Sequence, residues 1–246
     1  MTTAVFGLND ALGLKVANLE QTLRSIAHEH APAALSSSLA VEDMVITDVV
    51  LRAELPIEIF TLDTGRLHPE TLNVLDAIRD RYGYSVHVFR PEAKAVERYV
   101  HDFGLDAIYA SVDMRQRCCH IRKVEPLARA LHGKAAWITG MRRAQSVTRG
   151  DLLDREFDTE RGLWKCNPLA DWSERDVWDY ISAHAVPYNH MQDQGYRSIG
   201  CEPCTRAIAK GEPLRAGRWW WEDEQSKECG LHKRPDSVTA TSEGAR

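Results

Sequence analysis

The chain has 246 residues, of which 43% are hydrophobic, so it can bury a sizeable core in one large domain. Its 31 Lys and Arg residues against 36 Asp and Glu residues give a formal net charge of −5 at pH 7. This balance excludes a global basic field for nucleic acid or an anionic membrane, so an anionic substrate needs a local basic site.

The N-terminal residues lack a charged stretch followed by an apolar one, and no run approaches the roughly 18 apolar residues of a membrane helix. These features predict a protein of the reducing cytoplasm, where thiols are more often ligands or catalysts than disulfides. We expect residues 1–232 to form one α/β domain, with a distinct C-terminal segment at about residues 205–232. Residues 233–246, with few apolar side chains, are expected to be a disordered tail.

Helix and strand patterns alternate along the first part of the chain. The predicted helices are residues 10–30, 44–51 and 69–82, and the predicted strands are residues 32–35, 57–62 and 85–89. Such alternation implies right-handed crossovers onto a parallel sheet, whose ligands lie at the carboxyl ends of the strands.

Two polar loops follow strands of this predicted sheet. The first is the serine loop, residues 36–38, which leads to Glu42 and Asp43 at a helix start; backbone N–H groups and hydroxyls there can receive a polar or anionic group. Ordinary helix capping explains the same residues equally well. The second loop is Asp63-Thr64-Gly65. Together the two loops are expected to outline one pocket.

A further strand is predicted at residues 135–139, and the loop after it contains Arg142, Arg143 and Arg149. Three arginines at the carboxyl end of a strand form a local anion site, although Arg142 or Arg143 taken singly fits a solvated loop better. Residues 151–165 are expected to form a charged hairpin. Ser173 with Asp176 resembles a capping box for the next helix.

Four cysteines form two close pairs, Cys118-Cys119 and Cys201-Glu202-Pro203-Cys204. The first pair is expected to start a helix that runs to Leu131. Adjacent side chains on a helix diverge by about 100°, which suits the separated corners of a 4Fe–4S cluster better than a single zinc ion. Zinc, two disulfides, or buried free thiols are the alternatives to a cluster.

Two further cysteines lie outside these pairs. Cys229, followed three residues later by His232, suggests a nucleophile, because nearby cations lower the pKa of a thiol. Cys166 is expected to be a small core residue. The run Trp219-Trp220-Trp221 is consistent with a stacked base, with a wedge that covers a cluster, or with core packing.

In their order along the chain, these motifs resemble the assimilatory adenylyl-sulfate reductases, the iron–sulfur branch of the phosphoadenylyl-sulfate reductase family. The resemblance spans roughly residues 30–233. The motifs that carry it are the serine loop with Glu42-Asp43, Leu62-Asp63-Thr64-Gly65, Cys118-Cys119 with Lys123, Thr139-Gly140 with Arg142-Arg143-Ala144-Gln145-Ser146, Asn167-Pro168-Leu169, Cys201-Glu202-Pro203-Cys204, and Glu228-Cys229-Gly230-Leu231-His232.

The resemblance implies an adenine-nucleotide alpha hydrolase-like (PP-loop) α/β fold, with helices on both faces of a parallel sheet. It implies thioredoxin-dependent reduction of adenosine 5'-phosphosulfate (APS) to sulfite and AMP in sulfate assimilation and cysteine biosynthesis, through a cysteine S-sulfonate on the enzyme. The physiological thiol donor and the oligomeric state, a homo-oligomer included, stay open.

The resemblance also implies roles for particular residues. Cys229 would be the nucleophile, with His232 beside the phosphosulfate. The 4Fe–4S ligands would be Cys118, Cys119, Cys201 and Cys204. The residues around the nucleoside would be Ser37, Ser38, Glu42, Leu62 and Gly140, and those facing the phosphosulfate would be Lys123, Arg149, Arg215 and Arg218.

Three alternatives remain at this point. One is reduction of the 3'-phosphorylated nucleotide (PAPS), alone or together with APS. Another is a PP-loop ATP pyrophosphatase or thiolation enzyme, although the serine loop lacks the Gly-rich character that cradles a pyrophosphate. The third is a zinc-stabilised binding module in which Cys229 has no catalytic part.

Overall fold

A computed structural model describes residues 10–146, 149–223 and 231 of the chain. Its helices are α1 Asp10–Glu29, α2 Val41–Arg52, α3 Pro69–Tyr82, α4 Ala93–Phe103, α5 Val112–Cys119, α6 Glu125–Leu131 and α7 Glu174–His184. Its strands are β1 Ala33–Ser36, β2 Ile57–Leu62, β3 His87–Phe89, β4 Ala136–Ile138, β5 Arg155–Asp158 and β6 Leu163–Cys166. None of the described helices is long and apolar enough to span a bilayer.

The strands form a six-stranded sheet in the order β3-β2-β1-β4-β6-β5. Every neighbouring pair is parallel except β5 and β6, which form the antiparallel hairpin predicted for residues 151–165. The chain therefore has the predicted α/β architecture, with an added hairpin at one edge. Because β1 lies between β2 and β4, the loops after these three strands meet at one edge of the sheet.

Alternation along the strands supplies apolar residues to both faces of the sheet. In β4, Ala136 and Ile138 join the larger core with the apolar residues of α1, α2 and α7, whereas Trp137 faces a smaller core with Leu127 and Leu131 of α6. The central strand β1 behaves in the same way. Helices consequently cover both faces, as expected for a buried parallel sheet.

Two predicted helix boundaries are confirmed, the end of α3 and the start of α7. Helix α3 ends at Gly83, whose φ of 66° is in the left-handed region that glycine adopts readily. The side chain of Ser173 accepts from the backbone N–H of Asp176, and the Asp176 carboxylate accepts from the backbone N–H of Ser173. This is the capping box expected at the start of α7.

A buried carboxylate, Asp48, joins three helices on the far side of the larger core. Its side chain is fully buried and accepts from the hydroxyls of Tyr82 at 2.7 Å and Tyr180 at 2.6 Å, and from Arg52 at 3.2 Å. Burial, together with this carboxylate, raises the pKa of Tyr180, so the phenol stays protonated and donates. The network links α2, α3 and α7.

We predict that Tyr180→Phe lowers the free energy of unfolding by about 1–3 kcal/mol, because it removes one donor from a buried carboxylate. Urea unfolding followed by circular dichroism measures the change. Tyr188→Phe is the matched control, since the Tyr188 hydroxyl bonds only the exposed Asp193 among the described residues; its effect should stay within about 0.5 kcal/mol. Equal losses in the two variants would contradict the role given to Asp48.

Candidate active site

A pocket of about 220 Å³ opens at the carboxyl ends of β1, β2 and β4. The serine loop forms one wall, Leu62 ends β2 and Thr64 follows it, and Gly140 and Met141 follow β4. Its position is the one that the parallel topology predicts for a ligand. It is large enough to receive a substantial part of a nucleotide.

Nine of the ten residues predicted to lie at the substrate line this one pocket, although they come from segments far apart in sequence; the tenth, His232, lies outside the described residues. The nine are Ser37, Ser38, Glu42, Leu62, Lys123, Gly140, Arg149, Arg215 and Arg218. The structure thus brings together the proposed nucleoside and phosphosulfate residues. Their individual roles stay predictions.

The serine loop is held by a buried carboxylate and not by side-chain helix capping, since the N-cap residue of α2 is Ala40. Asp43 lies in the first turn of α2, and its Oδ2 accepts from the backbone N–H of Ser38 at 2.7 Å and from the Ser38 hydroxyl at 2.6 Å. Its Oδ1 accepts from the backbone N–H of Gly140 at 3.0 Å. Burial raises the pKa of Asp43 to about 6, so the group is mainly ionised at neutral pH.

The neighbouring acid, Glu42, is paired with an arginine. Glu42 Oε1 accepts from Nε and Nη2 of Arg142 at 3.0 and 2.7 Å, and both side chains are buried. Arg142 also donates to the carbonyl of Trp172. Glu42 therefore lines the pocket with one oxygen already engaged by a cation.

The expected cluster of three arginines after β4 is not assembled, which corrects the sequence interpretation. Arg142 is only 1% exposed and pairs with Glu42, so it does not lie in a solvated loop. Arg143 turns away to Asp154 and Asp171. Arg149 alone of the three lines the pocket. Acidic partners distant in sequence redirect the other two.

The cationic wall of the pocket comes instead from three separate segments: Lys123, Arg149, and the pair Arg215 and Arg218. Arg218 is buried, with only 7% of its surface exposed. Within the described chain, its Nε has no hydrogen-bond partner. The Arg218 guanidinium lies 4.6 Å from the ring centroid of Trp219. A buried guanidinium on a pocket wall is suited to bind an anion.

The four cysteines of the two pairs meet behind this pocket. Cys118, Cys119, Cys201 and Cys204 are all buried, all free, and line one small cavity. The hydroxyl oxygen of Thr64 lies 3.2 Å from Cys201 Sγ. Within the described ranges, no group of three or more His, Cys, Asp or Glu side chains is arranged to hold a single metal ion.

The helix around the first cysteine pair differs from the prediction. The pair does not start a helix but ends α5, which begins at Val112, and a π-helical turn, His120–Val124, leads directly into α6. Both thiols of the adjacent pair are buried in the same cluster as Cys201 and Cys204.

Positive charge surrounds the thiols. The cavity is lined by Arg66, Arg115, Arg122 and Lys123. Burial raises the pKa of Cys118 and raises that of Cys204 to about 11, while Arg122 acts against the first shift and Lys123 against the second. Burial thus favours neutral thiols, and the cations partly offset this preference.

Two residues, Lys123 and Trp219, line both the pocket and the cysteine cavity. Trp219 is 1% exposed, with the guanidiniums of Arg115 and Arg218 at 4.7 and 4.6 Å from its ring centroid. Arg115 in turn forms a buried ion pair with Glu222. Of the three interpretations of the tryptophan run, a wedge against the cysteines describes Trp219, whereas Trp220 is 41% exposed.

The predicted nucleophile and its histidine, Cys229 and His232, lie outside the described residues, as does the predicted tail. Leu231, which lies between them in sequence, is described and lines the pocket. Cys166 is 1% exposed in the larger core, which confirms the expected packing role.

The part that Asp43 plays was not predicted from the sequence. Asp43 belongs to the Glu42-Asp43 motif. Its hydrogen bond from the backbone N–H of Gly140 joins positions 97 residues apart, and no local pattern indicates such a contact. An acidic residue in the first turn of a helix that follows a serine loop was the available signal.

Comparisons with known proteins agree with this geometry. A family model described as "Phosphoadenosine phosphosulfate reductase domain" matches residues 32–207. The adenosine 5'-phosphosulfate reductase of Burkholderia cepacia is 54% identical over 231 residues, covering 94% of this chain and 92% of that protein. The protein of the same name from Allochromatium vinosum is 52% identical over 225 residues, covering 92% and 88%.

Solved structures share the fold. Phosphoadenylyl-sulfate (PAPS) reductase from Candida auris superposes with a TM-score of 0.64 at 25% identity, covering 83% of this chain and 100% of that one. FMN adenylyltransferase from Candida glabrata has a TM-score of 0.53 at 15% identity, covering 96% and 80%, which shows a common fold alone.

The structure is that of a mostly parallel α/β protein with a pocket at the carboxyl ends of its strands and four buried thiols beside that pocket. The chain belongs to the phosphoadenosine phosphosulfate reductase family. The predicted family and fold are confirmed, as is the predicted enzyme class, an oxidoreductase that acts on a sulfur group.

Proposed function

We propose that this chain reduces APS to sulfite and AMP, with thioredoxin or a similar dithiol protein as donor, in the cytoplasmic assimilation of sulfate. The observation that carries the proposal is the shared wall of Lys123 and Trp219 between the pocket at the strand ends and four buried thiols. The names of the relatives from Burkholderia cepacia and Allochromatium vinosum point to the same substrate.

The pocket offers complementary surfaces for the two ends of APS. The serine loop, Leu62 and Gly140 would receive the nucleoside at the carboxyl ends of the strands. Lys123, Arg149, Arg215 and Arg218 would bind the phosphosulfate. The chain carries a net charge of −5, so these local cations, not the overall charge, would attract the anion.

The chemistry proposed for Cys229 is nucleophilic attack of its thiolate on the sulfur of the bound sulfate group. A bond forms between Cys229 Sγ and that sulfur, the bond to the bridging oxygen breaks, and AMP leaves with the electron pair. The enzyme then carries a cysteine S-sulfonate. Cations around the transferred group would offset the repulsion between two anions, most strongly where water is excluded.

The second step needs a dithiol donor. One donor thiolate attacks Cys229 Sγ and expels sulfite, and the second donor thiol resolves the mixed disulfide, so that Cys229 regains its thiol. The sulfur that began as sulfate gains two electrons, and the donor dithiol becomes a disulfide. Cys229 must be accessible to a protein partner at this stage, which suits a segment that closes over substrate and then opens.

The residues around the cysteine cavity fit a 4Fe–4S cluster. Four buried thiols match the usual number of ligands, and the buried Nε1 of Trp219 lacks a hydrogen-bond partner in the described chain, so it is suited to donate to a sulfur. Cys118, Cys119, Cys201 and Cys204 would hold the group, which would contribute a structural tie and local charge. Lys123 would be oriented by it toward the sulfate.

Parallel turnover of APS and PAPS by anaerobically purified enzyme, with reduced thioredoxin, tests the proposed reaction. We expect sulfite from APS, little from PAPS, and none from Cys229→Ser, because that variant lacks the attacking thiolate. Equal rates with both nucleotides would instead indicate a bifunctional reductase. No sulfite from either nucleotide, with the iron content intact, would overturn the proposal and favour a pyrophosphatase activity.

Replacing Lys123, which lines both the pocket and the cysteine cavity, tests whether its charge stabilises the reacting sulfate. Lys123→Ala should lower kcat/KM for APS by about 100-fold, since it removes one cation from the reacting sulfate, while iron content and visible absorption stay unchanged. Lys94→Ala, which alters an exposed lysine of α4, is the control and should leave kcat/KM unchanged. Full activity in Lys123→Ala would refute the electrostatic role of this residue.

A further inference from the structure

The carboxylate of Asp43 lies at the junction of two pocket loops and is nearly closed to solvent, with 5% of its surface exposed. It receives three hydrogen bonds: two from Ser38, at 2.7 and 2.6 Å, and one from the backbone of Gly140, at 3.0 Å. Both oxygens are thus occupied by groups of the chain. Asp43 is therefore poorly placed to hold substrate itself, and its negative charge would repel a phosphosulfate.

The backbone at Gly140 packs directly against Asp43, with no room for a side chain at position 140. A Cβ at position 140 would lie 2.3 Å from Asp43 Oδ1 and 3.0 Å from both Asp43 N and Glu42 Cβ. The approach of the loop after β4 to the start of α2 thus requires a residue without a side chain. Glu42 holds the same loop through Arg142, so two successive acids of α2 fix one pocket wall.

The contact with Asp43 also fixes how Ser38 meets a ligand. A hydroxyl has one proton, and the Ser38 proton is donated to Asp43 Oδ2. The oxygen of Ser38 then presents only lone pairs to the pocket that it lines. A ligand group that contacts it must be a donor, such as a ribose hydroxyl or the amino group of adenine.

We propose that Asp43 is a positioning residue, which fixes the Ser38 loop to the Gly140 loop and makes the Ser38 oxygen an acceptor for an O–H or N–H group of the nucleoside. This inference rests on the proposed function, because it assigns the pocket to an adenine nucleotide. Asp43 acts through the two loops and contacts neither the nucleotide nor the reacting sulfur.

Asp43→Asn tests the proposal, because an amide in place of the carboxylate turns one acceptor oxygen into an N–H donor facing another donor. We expect the Kd for AMP, measured by calorimetry, and the KM for APS to rise about tenfold or more, with kcat lowered less than about threefold. A rise in KM with little change in kcat is expected when a contact to the unreactive part of a substrate is lost.

Asp48→Asn is the matched control, since Asp48 is another buried aspartate of α2 but does not line the pocket. It should lower the melting temperature while leaving the Kd for AMP and the KM for APS within about twofold of the native values. If Asp43→Asn behaves like Asp48→Asn, or lowers kcat with KM unchanged, the positioning role is wrong.

Ser38→Ala provides a second variant that removes only the hydroxyl, and it should raise the Kd for AMP in a protein that retains both backbone contacts of Asp43. In a double-mutant cycle, Asp43→Asn should add little to Ser38→Ala, because both disturb one contact. Full additivity would contradict coupling through Ser38. Should Asp43→Asn fail to fold, a native Kd in Ser38→Ala would by itself overturn the proposal.

Analogues of AMP identify the donor. We expect one of 2'-deoxy-AMP, 3'-deoxy-AMP and IMP to bind native enzyme more weakly than AMP and to bind Ser38→Ala no more weakly than AMP does. No discrimination among them by the native enzyme would overturn the acceptor role of Ser38. If native enzyme neither binds AMP nor turns over APS, the proposed function has failed, and this inference falls with it.

Discussion

The rest of the site depends on the meeting of four buried thiols from two distant segments, one at the end of α5 and one in the 3₁₀ turn Glu202–Cys204. Burial alone would hold these thiols neutral, and the surrounding arginines and lysine act against that preference. The arrangement concentrates positive charge at one point of an acidic protein. Because Lys123 and Trp219 line both the cysteine cavity and the pocket at the strand ends, that charge also reaches the pocket.

The pocket owes its shape to topology and its rigidity to buried polar contacts. Parallel strands bring the loops after β1, β2 and β4 to one edge of the sheet, but they do not fix the loops in place. Two successive acids of α2 do this: Glu42 pairs with Arg142 of the loop after β4, and Asp43 accepts a hydrogen bond from the backbone of Gly140 in the same loop. The loops after β1 and β4 are thus held by acids, whereas Lys123, Arg149, Arg215 and Arg218 line another part of the pocket with cations. This division of charge suits a substrate that is anionic at one end only.

Local patterns allowed the elements and the fold to be predicted from the sequence. The bounds of β2 and α3 follow from an apolar run and from Gly83, and the start of α7 follows from Ser173. The helix around Cys118 was predicted to begin too late in the sequence, because α5 begins at Val112, in a polar stretch without clear apolar periodicity. Arg142 was likewise misjudged, because its partner Glu42 lies 100 residues away in sequence. Contacts of that kind become visible only in the folded chain.

The central claim is that Cys229 takes the sulfonate group from a nucleotide bound beside the buried thiols. Intact-mass spectrometry of the iron-loaded enzyme, incubated with APS without a thiol donor and followed by peptide mapping, tests it most directly. The account predicts a gain of one SO₃ group located on Cys229, which reduced thioredoxin removes as sulfite. An enzyme that releases AMP while Cys229 stays unmodified, or that carries the group on another residue, would contradict it.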